Sequence, residues 1–194
     1  MLNQPNLVKV WDPFVRLFHW TLVLAFIVAF ITEEDFLAIH TFAGYTVSGL
    51  ILLRIVWGII GTRHARFSDF IYSKETIKQF IKDTLSFKAR RYIGHNPAGG
   101  AMILLMIISL LITTFTGIAV YGAEEQAGPM ASLFSQSHGF WGKAFEEIHE
   151  FFANFTLLLV CIHVAGVIIE SMIHKENLVK SMITGMKTSE KDSH

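Results

Sequence analysis

Apolar residues are gathered along the chain into four long runs, at 14–31, 36–60, 98–121 and 151–169. A helix rising about 1.5 Å per residue needs about 20 apolar residues to cross the hydrocarbon core of a bilayer. Each run therefore predicts a membrane span, and little chain is left for a separate soluble unit. The expected fold is all-α, an integral membrane four-helix bundle, with residues 1–194 forming a single domain. The first run leads directly into Thr32-Glu33-Glu34-Asp35 with no small-residue cleavage pattern, so it reads as a retained helix and not a signal peptide. In the second connection Ile77, Phe80, Ile81 and Leu85 recur at helical spacing, while Lys74, Lys78 and Lys82 share another face. That pattern predicts an amphipathic cytoplasmic helix, either lying on the inner leaflet or simply solvated.

Charge orients the spans. The first connection carries three acids and no base, and residues 122–150 carry five acids against Lys143 alone. Residues 61–97 hold eight bases, and 14 of the 16 lysines and arginines fall on the side shared by this segment and both ends of the chain. The excess of positive charge in cytoplasmic connections predicts that both termini are cytoplasmic, in a multi-pass membrane protein. Composition agrees: the chain is 52% hydrophobic, 16% charged and formally neutral, which excludes disorder and the basic footprint of a nucleic-acid binder. A single cysteine, Cys161, excludes an internal disulfide and a four-thiolate iron–sulfur cluster. Metal chemistry therefore falls to the nine histidines.

Polar groups inside hydrocarbon cost several kcal/mol unless partnered, so intramembrane histidines are functional candidates. His19 lies about five residues inside the cytoplasmic start of the first span, and His163 lies about seven residues from the cytoplasmic end of the fourth. His40 and His149 stand near the external starts of the second and fourth. The 14-residue separation of His149 and His163 puts both on one helix face, about 21 Å apart along the axis. That is too far for one metal ion and suits two centres at different depths. Neutral imidazole is a strong axial ligand of haem iron, and facing helices build such sites in four-helix bundles. Two bis-histidine haems, His19–His163 and His40–His149, would use all four ligands. The alternative is four polar side chains hydrogen-bonded between helices or among headgroups.

Gly44 and Gly166, four and three residues beyond a candidate ligand, would let a flat macrocycle approach the backbone, although helix packing explains them equally well. Arg54, the one base within a span, is either offset by a haem propionate or snorkels to the inner headgroups. Trp20, Trp57, Phe14 and Phe18 either line a cofactor or serve as interfacial aromatics. His64, His138, His174 and His194 read as solvated.

Several motifs carry a resemblance. Trp11-Asp12, Arg16 and Phe18-His19-Trp20 open the first span, His40 with Gly44-Tyr45 opens the second, and Arg54-Ile55-Val56-Trp57-Gly58 closes it. Gly94-His95-Asn96-Pro97 precedes the third span, and His149 and His163 mark the fourth. In combination, and over nearly the whole chain, these resemble the bacterial cytochrome b561 and nickel-hydrogenase b-type cytochrome subunit family. The resemblance implies two haem b groups with the ligand scheme given above, and electron exchange between the quinone pool and a periplasmic-side redox protein or a hydrogenase-type complex, as in a respiratory chain. More distant formate dehydrogenase membrane subunits place a quinone near the cytoplasmic haem and the loop entering the third helix, here His95, Asn96 and Gly99-Gly100. His95, with an ordinary imidazole pKa, would donate a proton and Asn96 would bind a carbonyl; alternatively Asn96 caps a helix whose first residue is Pro97.

The leading expectation is thus a di-haem membrane cytochrome that uses quinone or quinol as exchangeable substrate. A second reading within the same family is a superoxide-oxidising quinone reductase, with Lys143 steering the anion. A third, from another class, is a small histidine-containing ion transporter.

Overall fold

The computed structural model describes residues 6–33, 36–134 and 140–189. Glu34, Asp35, His138, Lys191 and His194 lie outside them, with the expectations attached to those positions. The elements run β1 (Leu7–Lys9), α1 (Pro13–Ile31), α2 (Leu37–Ile60), two short 3₁₀ turns (Arg63–Ala65 and Phe67–Asp69), α3 (Lys74–Leu85), α4 (Pro97–Glu124), α5 (Ala131–Phe134), α6 (Phe140–Ile173), α7 (Leu178–Thr184) and β2 (Met186–Thr188). Among the described residues the protein is all-α apart from one pair of three-residue strands, and α1, α2, α4 and α6 are long and apolar enough to cross a membrane. It is a multi-pass membrane protein.

The predicted spans coincide with these helices at most ends. At α6 they differ: the helix has 34 residues and starts at Phe140, ahead of the apolar run at 151. Its length of about 51 Å exceeds a core of about 30 Å.

Asx-Pro pairs start two of the long helices. Asp12 Oδ1 accepts from the Val15 amide at 2.9 Å and Asn96 Oδ1 from the Gly99 amide at 2.6 Å, with Pro13 and Pro97 as first helical residues. A proline there gives up no hydrogen bond, and the acceptor satisfies a free amide of the first turn. Ser73 caps α3 in the same way through the Thr76 amide.

The chain packs as two compact units, and every long helix contributes to both. The first comprises Met1–Trp20, Arg54–Leu104 and Cys161–His194. Here β1 pairs antiparallel with β2, Leu7 opposite Thr188, and Val10, Trp11, Val15 and Ala65 form a buried cluster. The Gly185 carbonyl accepts from the Val10 and Trp11 amides at 2.8 and 3.1 Å, and Gly185 itself holds φ at +82°, a conformation glycine adopts without penalty. Arg91 ties the segment ahead of α4 to the C-terminal segment through Glu176 (3.0 Å) and the Thr188 carbonyl (2.7 Å). In α3, Phe80 turns inward against Tyr92, while Ile81 and Leu85 of the predicted apolar stripe stay exposed.

The second unit comprises Thr21–Leu53 and Leu105–Val160. Hydroxyls on its helices bond back to their own carbonyls, as Thr113 does to Ser109 and Thr156 to Phe152. Ser109 and Thr156 also bond to each other at 2.7 Å, linking α4 to α6. Such pairs hold helices together where lipid gives apolar faces no preference for one another.

Candidate cofactor sites

In the second unit α2 presents His40 and α6 presents His149, both half-buried. His40 Nδ1 lies 2.9 Å from the Ala29 carbonyl and His149 Nδ1 lies 2.8 Å from the Thr113 carbonyl. A carbonyl oxygen only accepts, so each Nδ1 must carry the proton, and each Nε2 keeps its lone pair for a metal. The ring centres are 6.0 Å apart with planes at 78°. Two imidazoles on opposite faces of one iron place their centres about 6 Å apart, from about 2.0 Å of metal–nitrogen bond plus about 1.1 Å to the ring centre on each side. The residues present therefore fit a haem iron.

A cleft adjoins the pair, lined by both histidines, Gly44 and such apolar residues as Phe26, Phe30 and Leu110. Its empty space, open mouth included, is about 710 Å³. A Cβ on Gly44 would meet no atom within 4 Å, so the backbone there faces open space, as a flat cofactor requires. Gly117 on α4 escaped the sequence reading. A Cβ there would lie 2.8 Å from His149 Cε1 and 3.1 Å from its Nδ1, so only glycine lets this ring settle against α4 and reach Thr113. No spacing signal marks Gly117, because its partner is 32 residues away in sequence.

The first unit holds His19 on α1 and His163 on α6, both half-buried and within electrostatic reach of each other. His19 Nδ1 is buried without a hydrogen-bond partner among the described residues, and its ring meets Trp20 edge-on at 5.0 Å. Gly166 again faces open space. Arg54 is only 3% exposed in the folded chain, which does not match an arginine snorkelling outward. Its guanidinium packs over the Phe67 ring at 5.2 Å, a ring for which Gly58 makes room, and its Nη1 is buried and unpartnered among the described residues. The carboxylate of Asp12, which acts on Arg54 through space, is already hydrogen-bonded by Val15, Trp57 and Thr62. A buried guanidinium with a spare N–H fits a carboxylate such as a propionate.

Around the start of α4 the structure revises three expectations. His95 is clasped by Trp11 and Phe70, with ring centres 4.5 and 4.6 Å away. Burial, reinforced by the charges of Arg54 and Lys187, pushes its pKa down to about 3, so at neutral pH it is an uncharged imidazole and not a reservoir of acidic protons. Its Nδ1 is buried and unpartnered among the described residues. Asn96 caps α4 through Oδ1, and its Nδ2 donates to Glu170 at 3.1 Å. His64 and His174, expected in solvent, are instead paired with Asp69 (2.8 Å) and Glu170 (3.3 Å). Of the aromatics near the span ends, Phe14 packs on Trp57 at 4.6 Å, and Trp57 donates to Asp12.

Apolar spans carrying histidines whose geometry suits haem iron define a membrane-embedded b-type cytochrome, a protein that carries haem b and transfers electrons. Residues 10–185 match the family described as prokaryotic cytochrome b561, and the chain belongs to that family. It is 26% identical to a probable Ni/Fe-hydrogenase B-type cytochrome subunit of Rhodobacter capsulatus, an alignment covering 98% of this chain and 85% of the relative. It is 27% identical to the corresponding protein of Cupriavidus necator, over 92% and 86% of the two chains. With a probable Ni/Fe-hydrogenase 1 B-type cytochrome subunit of Escherichia coli K12 it shares 23% identity over 92% and 90%.

Proposed function

We propose that the protein is a di-haem cytochrome of the bacterial inner membrane, passing electrons between the quinone pool and a redox protein or hydrogenase-type complex on the periplasmic side. One haem b is held by His40 and His149 near the outer surface, the other by His19 and His163 near the inner one. The observation that carries the reading is the His40–His149 pair: rings 6.0 Å apart, each with Nδ1 committed to a carbonyl. Haem supplies one-electron chemistry at its iron. The chain's part is to fix the ligand tautomers, to leave Gly44 and Gly166 bare beside them, and to offer the buried Arg54 guanidinium to a propionate. The names of the curated relatives, as hydrogenase cytochrome subunits, support the complex. On this reading quinone binds at the inner boundary, where the unpartnered His95 Nδ1, in the tautomer that protonates it, would donate to a carbonyl and Trp11 and Phe70 would supply apolar walls.

Haem count and ligand replacement test this. The pyridine haemochrome assay should give two haems per chain. His40→Ala and His149→Ala should each lose the same one, and His19→Ala and His163→Ala the other. One haem per chain, or loss of different haems within a pair, would overturn the scheme, and no haem at all would favour an ion transporter.

A further inference from the structure

Glu170 is the buried acid for which electron transfer alone gives no use. It is 7% exposed on α6, where an unpaired carboxylate is costly. It lies seven residues after His163, nearly two full turns, and so on the same helix face and about 10 Å along the axis. Three groups converge on it within one unit: Thr84 of α3 donates to Oε1 at 3.1 Å, Asn96 Nδ2 donates to Oε2 at 3.1 Å, and His174 Nε2, buried and outside hydrogen-bonding geometry, stands 3.3 Å from Oε2, one small ring rotation from a bond. The backbone continues helically across this step, the His174 amide bonding to the Glu170 carbonyl at 3.0 Å. His174 keeps 14% of its side-chain surface open, so the pair leads from an interior carboxylate to water. The remaining charges near the pair are Lys187, which feels Glu170, and beyond it Glu176, joined to Lys187 at 3.9 Å and to Arg91 at 3.0 Å.

The geometry points to Glu170 and His174 as the proton relay of the inner quinone site, an inference that rests on the quinone reading above. Reducing a quinone to quinol takes two electrons and two protons. The electrons arrive one at a time, each from a ferrous haem iron that becomes ferric. Glu170 gives its proton to a quinone oxygen and is reprotonated through His174 from water, and a second turn of the relay delivers the second proton. Quinol oxidation runs the same steps backwards, Glu170 accepting each proton and His174 passing it to water. Asn96 holds one carboxylate oxygen of Glu170 and, through its cap, the first turn of α4, so it is a positioning residue.

The test is the rate at which duroquinol reduces haem in purified protein that retains its haem spectrum. Glu170→Gln keeps one of the two acceptor oxygens, so that either Thr84 or Asn96 loses its partner, and it carries no transferable proton; a purely structural Glu170 predicts a loss that azide does not rescue. The relay predicts reduction slowed about a hundredfold, the upper share of general acid–base catalysis being larger still. It also predicts partial rescue by added azide, and near wild-type rates in Glu170→Asp. If Glu170→Gln fails to hold haem, His174→Gln decides, with slowed transfer restored by added imidazole. Wild-type rates in Glu170→Gln at pH 5.5 to 8.5, or in His174→Gln when that variant decides, overturn the relay. Failure of duroquinol to reduce haem in the wild-type protein overturns instead the quinone reading beneath it.

Discussion

Gly44 and Gly117 meet two different demands at one pair of ligands. At Gly117 the crowding atom belongs to the protein, since a Cβ would press on the His149 ring. Overpacking of this kind costs about 1–3 kcal/mol, roughly fivefold to a hundredfold or more in an equilibrium. Gly117→Val should therefore lower the occupancy of the His40–His149 haem and leave the other in place, as read by the haem-to-protein ratio and the low-temperature α-band. At Gly44 nothing within 4 Å resists a methyl group. Gly44→Ala should leave the stability of haem-free protein unchanged and weaken haem binding only if the macrocycle lies against α2 there. Equal haem affinity in Gly44→Ala and wild type would remove Gly44 from the cofactor site. His95 shows how far a residue type alone can mislead. An isolated histidine titrates near 6.5 and so takes up protons close to physiological pH, whereas burial against Trp11 and Phe70, with the charges of Arg54 and Lys187, pushes this one down to about 3 and removes it from that range.

At the scale of elements, Asp12 joins the start of α1 to the end of α2. It accepts from the Val15 amide, from Trp57 Nε1 at 3.1 Å and from Thr62 Oγ1 at 2.6 Å. Burial raises its pKa, but the bonds from Thr62, Val15 and Trp57 outweigh that and hold it below the ordinary 3.8. A carboxyl with a depressed native pKa adds stability that is present above about 3.8 and lost as pH falls through the lower native value. Asp12→Ala should cost about 1–3 kcal/mol by leaving the buried Val15 amide and the half-buried Trp57 N–H unmet. Its melting temperature should fall relative to wild type at pH 7, and by less at pH 3. An equal deficit at both would mean the carboxylate charge contributes nothing. The Asn96-Pro97 start of α4 was readable because a cap is a local device, complete within four residues. The early start of α6 was not, because Phe140, Trp141, Phe145 and Ile148 are interleaved with Lys143, Glu146 and Glu147, and an apolar run registers only from Phe151. The β1–β2 pair and the Glu170 contacts join residues far apart in sequence, 74 positions in the case of Asn96 and Glu170, and no periodicity reports such meetings. Depth and spacing singled out the four candidate ligands; their tautomers and the glycine behind His149 needed coordinates.

For the whole molecule, two separate arguments predict on which side of the membrane the ends of the chain lie, and one experiment distinguishes them. Parity comes first: four membrane-spanning helices bring the chain back to the side on which it began, whatever its charges. Charge then selects the side. The second connection carries eight bases, the described acids Glu33, Glu124, Glu125, Glu146, Glu147 and Glu150 stand in the other connections, and each lysine or arginine resists transfer across the membrane. Reporters at residues 1 and 194 should therefore both be active in the cytoplasm and inactive in the periplasm, with a reporter placed between α4 and α6 showing the opposite behaviour. Termini on opposite sides would mean that one of the four helices does not span. Both termini in the periplasm would leave the span count intact and overturn the charge argument, and with it the assignment of His19 and His163 to the inner surface. Neutralising Lys74, Lys78, Lys82 and Lys88 together should then weaken the orientational preference in proportion to the charge removed, giving a mixed population at both reporters where wild type gives one. A population that stays single after that change would show that the bases in residues 61–97 do not set the topology, leaving Lys9, Arg16 and the bases after Glu170 to do so.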